Sequence, residues 1–135
     1  MTNAPEANRK REVSPILRWL LGSPEETVPD PVSGLSSRDK TYIIDTWTMI
    51  RRDMRGNAVS LFVALFARYP EYQRMFRAFK DVPLEELPRN GVVKAHALAV
   101  FYFITVIIES MDDNDLLTEL VRKNARNHLR RPVGP

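Results

Sequence analysis

The amino-acid sequence predicts an all-α fold, on three observations. From Leu35 onward, apolar residues recur every three or four positions, the spacing of one face of a helix. No alternating run is long enough for a sheet-forming strand. The apolar segments are parted by short polar or proline-bearing breaks of the kind that start and stop helices. Hydrophobic residues make up 44% of the 135 and charged residues 27%, so composition suffices for the packed core of one small domain.

Residues 1–34 differ from the rest. They are rich in proline and in small and charged residues and read as a largely disordered N-terminal arm, with the domain spanning 35–135. One apolar island interrupts the arm, Pro15 to Gly22. It reads as a greasy patch in a flexible segment or as a helical turn or two that docks. Ser36 or Ser37 can cap the first helix, since a serine oxygen accepts from the free N–H groups of the first turn. Tyr42, Ile43, Trp47 and Ile50 follow at helical spacing. Gly56 and Asn57 mark a break. A second helix holds Val59, Phe62, Val63, Leu65 and Phe66 and ends near Tyr69–Pro70, because proline disfavours helix in the residue before it.

A short third element carries Tyr72, Met75, Phe76 and Phe79, and a loop with Pro83 and Pro88 runs from Lys80 to Asn90. A long helix is expected from about Val92 to Met111. The polar turn Asp112–Asp115 can cap a last helix bearing Leu116, Leu117, Leu120, Val121, Ala125 and His128, which Pro132 ends.

Several function classes drop out. There is no cysteine, hence no disulfide framework, no cysteine-held zinc and no thiol chemistry. No glycine-rich phosphate loop is present. The net charge of +3 is a weak sign of a nucleic-acid partner. The one basic run, Arg122 to Arg131, lacks interleaved aromatics for stacking bases; it reads as the solvated end of a helix, where positive charge suits the dipole. The longest apolar run, Ala97 to Ile108, is broken by Tyr102 and Thr105 and is short for a membrane span, so none is expected. Neither a secretory signal nor a myristoylation site is expected at the N-terminus. A cytoplasmic location follows as the expectation.

The chain has two histidines, each expected on the apolar side of a helix. His96, Val100, Phe103 and Ile107 form one stripe; His128 follows Ala125 by three and Val121 by seven. A single histidine on such a face is more often a satisfied core residue than a ligand. Zinc needs three or four protein ligands, more than two imidazoles supply. Haem brings four equatorial nitrogens of its own and leaves two axial positions.

At this point the sequence resembles the globin family. Leu65 to Glu71 with Phe76 and Phe79 is similar to the end of that family's helix B and the following corner, where a proline opens a short helix and a phenylalanine six residues on packs against haem. Trp47 falls where the family has a tryptophan in helix A. Lys94 to Ala97 resembles the distal-histidine segment of helix E, with Val100 one turn on, and Asn124 to His128 resembles the segment ending in the proximal histidine. The separations, 20 residues from Phe76 to His96 and 32 from there to His128, are close to the family's. The stretch Phe79 to Leu87 looks like that of insect globins.

The resemblance covers about Leu35 to Val133 and implies a globin-like helical fold with helices A to F. The chain ends seven residues after His128, so the family's helices G and H are expected to be missing. Asn124 stands where a leucine is usual, and the arm has no counterpart. The resemblance further implies a haem b cofactor, with its iron held by His128 as proximal ligand. His96 is the distal residue, available to hydrogen-bond a bound gas or to ligate as a sixth ligand. Phe62 and Val100 wall the distal side, Phe76 and Phe79 pack on the porphyrin, and Arg77 and Lys94 are candidate propionate partners. The implied function is reversible binding of oxygen and other diatomic gases, for storage, transport or sensing, by an intracellular invertebrate-type protein without enzyme activity. Two alternatives stay open: a haem protein that consumes nitric oxide or peroxide, and a haem-free globin remnant that acts as an interaction module.

Overall fold

The computed structural model describes residues 24–129, which fall into two compact units meeting between Asp39 and Lys40. The island at residues 15–22, Pro132 and the basic residues Arg130 and Arg131 lie outside the described residues. The described residues hold five α-helices and no strand: α1 (Ser37–Arg51), α2 (Met54–Arg68), α3 (Pro70–Gln73), α4 (Gly91–Glu109) and α5 (Asn114–Leu129). Short 3-10 turns lie at Pro24–Thr27 and Leu87–Arg89. The expected all-helical class is what the chain adopts.

In the first unit, Asp30 organises a tight turn. Its carboxylate accepts from the backbone N–H groups of Val32 and Ser33 at 2.9 and 2.8 Å. Gly34 closes the turn at φ 71°, a left-handed conformation that costs a side-chain-bearing residue energy. Ser36, one of the two serines expected to cap, is the one that does. Its hydroxyl accepts from the Asp39 N–H at 3.1 Å, and the Asp39 carboxylate accepts from the Ser36 N–H at 2.9 Å and the Ser36 hydroxyl at 2.6 Å. This reciprocal arrangement satisfies donors that a helix start otherwise leaves bare. The Ser36 bonds also hold the Asp39 carboxyl below its ordinary pKa.

In the second unit the break between α1 and α2 falls earlier than Gly56–Asn57. Asp53 caps α2 by accepting from the Gly56 N–H at 3.0 Å. Asn57 reaches back to donate to the Ile50 carbonyl at 2.8 Å. Both residues act inside a helix rather than ending one, because their turn-forming chemistry is spent on caps. A Cβ on Gly56 would lie 2.1 Å from an Asp53 carboxylate oxygen, so a side chain there would push the carboxylate off its capping position.

The core lies where α2 crosses α4. Ala58, Phe62 and Phe66 of α2 meet Val93, Ala97 and Phe101 of α4, joined by Trp47, Phe79 and Leu87. Ala58 and Ala97 are small and almost wholly buried, which lets two helix backbones approach closely. Trp47 donates its indole N–H to the Thr105 hydroxyl at 3.0 Å, which donates in turn to the Phe101 carbonyl at 2.9 Å. Ion pairs from Lys40 to Asp112 and from Arg51 to Glu109, each at 3.0 Å, also join α1 to the end of α4 and the turn that follows it.

α4 starts at Asn90, whose side chain accepts from the N–H groups of Val92 and Val93. This 19-residue helix is long and apolar enough to cross a bilayer by length and composition alone, a test that the core helix of a soluble protein also passes. Counting unbroken apolar runs missed it, since the helix tolerates Lys94, His96 and Thr105 within an apolar average. Its stripe Val93, Ala97, Phe101 and Thr105 is buried in the core, whereas Val92, Tyr102 and Val106 are exposed. α5 is capped by Asp113, which accepts from the Leu116 N–H at 2.9 Å. It is strongly amphipathic, yet none of its residues is buried.

Candidate functional site

Four of the six residues singled out for a cofactor come together around His96. The buried ring of Phe62 lies 5.4 Å from the His96 ring at 79°. Phe76 lies 5.1 Å away at 70°, and Phe79 5.8 Å away at 55°. Phe76 and Phe79 stack on each other at 5.0 Å and 16°. These edge-on and offset geometries are the favourable ones for aromatic rings. Val100, one turn after His96, packs half-buried against the same core. The half-buried imidazole of His96 thus sits in a cage of phenylalanines.

The loop bearing Phe76 and Phe79 is fixed by a residue that the sequence reading passed over. Gln73, at the end of α3, is buried. Its amide donates to the Phe79 carbonyl at 2.9 Å and to the Val82 carbonyl at 2.8 Å. One side chain therefore satisfies two backbone acceptors of a segment without helix or sheet partners. The fully buried Leu87 anchors the far end of the same segment. A single polar residue after a proline-led turn gives no periodic signal; only its burial shows the role.

His128 stands apart. It lies in the last turn of α5, exposed, and makes no ring contact with the cage among the described residues. This corrects the expectation of an inward-facing stripe: among the described residues α5 packs against α4 alone, which half-buries Leu117 and Leu120 and leaves the end bearing Ala125 and His128 exposed. The ring of His128 is nonetheless oriented. Its Nδ1 lies 2.9 Å from the Asn124 carbonyl oxygen. A carbonyl can only accept, so Nδ1 carries a proton, and Nε2 is the nitrogen turned away from this bond. This is the kind of bond that fixes the tautomer of a metal-ligating imidazole.

Arg77 is exposed beside Phe76. Lys94 is placed differently from the expectation, on the flank of α4 away from His96. No group of three or more His, Cys, Asp or Glu able to hold a metal occurs among the described residues. The side chains therefore do not suit a metal ion held by protein ligands alone. An oriented imidazole, a phenylalanine cage and an uncovered amphipathic helix suit an apolar cofactor that brings most of its own metal ligands.

A family model described as Globin matches residues 59–135. This chain belongs to the globin family. A globin of Busycotypus canaliculatus is 37% identical over 104 residues, covering 75% of this chain and 71% of that protein. One of Tritia mutabilis is 31% identical over 103 residues, covering 74% and 70%. Extracellular globin-E1 of Artemia sp. is 31% identical over 103 residues, covering 76% and 53%. The globin match contains Phe62, Phe76, Phe79, His96, Val100 and His128, and the order of the helices is consistent with a globin fold.

Proposed function

We propose that this globin binds haem b, with His128 as proximal ligand, and reversibly binds oxygen or another diatomic gas. The observation that carries the reading is the hydrogen bond from His128 Nδ1 to the Asn124 carbonyl, which commits Nδ1 and leaves Nε2 as the nitrogen available to a metal. Haem, when bound, supplies an iron able to take up a gas reversibly. In this reading Phe62 and Val100 exclude water from the distal side, and Phe76 and Phe79 pack on the porphyrin. His96, braced by three rings, presents a ring nitrogen that either donates a hydrogen bond to the gas or occupies the sixth position. Arg77 neutralises a propionate. An intracellular, cytoplasmic role in storage, transport or sensing belongs to the same proposal, as does the absence of a catalytic role. So does a domain beginning near Leu35. One relative carries the name of an extracellular globin, so secretion is the competing location, and fractionation of the native source decides between them.

A second reading has its own observation. α5 has no buried residue, as expected of a haem-free module that pairs through its uncovered helix. Titration with haem separates the two. Stoichiometric uptake, giving a Soret band that shifts reversibly with carbon monoxide, supports the first. No uptake supports the second.

A further inference from the structure

Viewed down α4, the side chains form three strips. Val93, Ala97, Phe101 and Thr105 make the buried strip. His96 and Val100 lie on one flank of it. Lys94 and Leu98 lie on the other, each two residues from the gas-site positions and so about 160° around the helix. On that second flank, α4 meets the start of α2 and the turn at Leu87–Arg89, and a groove of about 650 Å³ opens. Its apolar surface comes from Val59, Pro88, Ala95 and Leu98, and it also holds Arg55, Lys94 and the Ser60 hydroxyl. Its volume falls within the range of small-molecule sites.

The charges in this groove are one-sided. No carboxylate lines it, and neither Arg55 nor Lys94 forms an ion pair among the described residues. On α1, by contrast, Arg51 is paired with Glu109. An apolar trough with two uncompensated cations and a hydroxyl is complementary to a molecule with an apolar tail and one anionic head.

We propose that the groove between α2 and α4 binds a single-chain amphipathic carboxylate. The head pairs with Arg55 and Lys94, and the tail lies along Val59, Pro88 and Leu98. Arginine suits a carboxylate because its planar fork can donate two parallel bonds. The site lies across α4 from His96, so it is independent of the haem reading and stands or falls separately from it.

The test uses the full chain and dodecanoate, titrated by calorimetry below its micellar concentration, with dodecyltrimethylammonium as a probe of equal tail and opposite charge. Dodecanoate is expected to bind at one site and the cation to bind at least tenfold more weakly. The double variant Arg55→Glu, Lys94→Glu is expected to weaken dodecanoate about tenfold or more, and helical circular dichroism checks that it folds. Dodecanoate binding is expected to be the same with and without added haem. Equal binding of both probes, an unchanged affinity in the double variant, or displacement of dodecanoate by haem overturns the proposal. The comparison of the two probes on the unaltered chain keeps the test decisive even if the double variant fails to fold.

Discussion

At the scale of single residues, the site depends on side chains that touch backbone as much as on those that face the cavity. Gln73 is the clearest. Replacing it with Ala leaves the carbonyls of Phe79 and Val82 without their donor. Leaving buried acceptors unsatisfied costs about 1–3 kcal/mol, to be read as a lower urea midpoint, and Phe76 and Phe79 lose their fixed position against His96. An unchanged midpoint would mean that water replaces the amide at no cost. The phenylalanines and histidines were legible in the sequence because their types and separations match a known pattern. Gln73 was not, because a lone glutamine in a loop looks like any solvated residue. His128 was legible as a candidate, but its exposure was not. Periodicity tells which residues share a face and is silent on whether anything covers that face.

Among elements, helix starts were read better than helix breaks. Ser36, the turn at Asp112–Asp115 and the proline at Tyr69–Pro70 each mark a boundary close to the expected place. Gly56 and Asn57 misled, since glycine and asparagine signal turns on average, whereas here the turn belongs to Asp53. Gly56→Ala sets a Cβ against the Asp53 carboxylate and forfeits that cap, a loss of about 1 kcal/mol. Thermal unfolding should show it as a lower midpoint, and a midpoint equal to that of the unaltered chain would contradict the cap's role.

Acid titration probes the start of α1. The Asp39 carboxyl is held below its ordinary pKa, chiefly by the Ser36 hydroxyl and then by the Ser36 backbone N–H. A folded pKa below the unfolded one gives stability that is present above the unfolded value and is lost as pH falls through the folded value. The start of α1 should therefore loosen only in acid. The Ser36 and Asp39 amide resonances should follow one titration below the ordinary carboxyl range, and Asp39→Asn should abolish it. A titration at the ordinary value would show that the capping bonds do not form in solution.

For the whole molecule, the core of α2, α4 and Trp47 forms without α5, which contributes no buried residue. Large apolar side chains remain exposed on α4 and α5, among them Tyr102, Val106, Leu116 and Val121. Exposed apolar area of this kind marks a place where something binds. If that ligand is haem, binding favours the folded state by mass action. The melting temperature should then rise with haem concentration, and amide exchange in α5 should slow more than in α2. Equal slowing in both helices would point to global stabilisation without docking at α5. The family and the all-helical class were legible from about Leu35 onward, although the expected third element is helical only over Pro70–Gln73 and leaves Met75, Phe76 and Phe79 on the loop that follows. The membrane-length character of α4 and the groove on its far flank were not, since both depend on which side chains the fold leaves outside.

The central claim is that His128 holds the iron. Its most direct test is the haem titration of the full chain beside His128→Ala, followed by the Soret band and its carbonyl shift. His128 is exposed and buries nothing, so the substitution leaves the core intact, as circular dichroism will check. The account predicts one haem per chain for the unaltered protein and loss of stable binding in the variant. Equal uptake and an unchanged spectrum in both would contradict it.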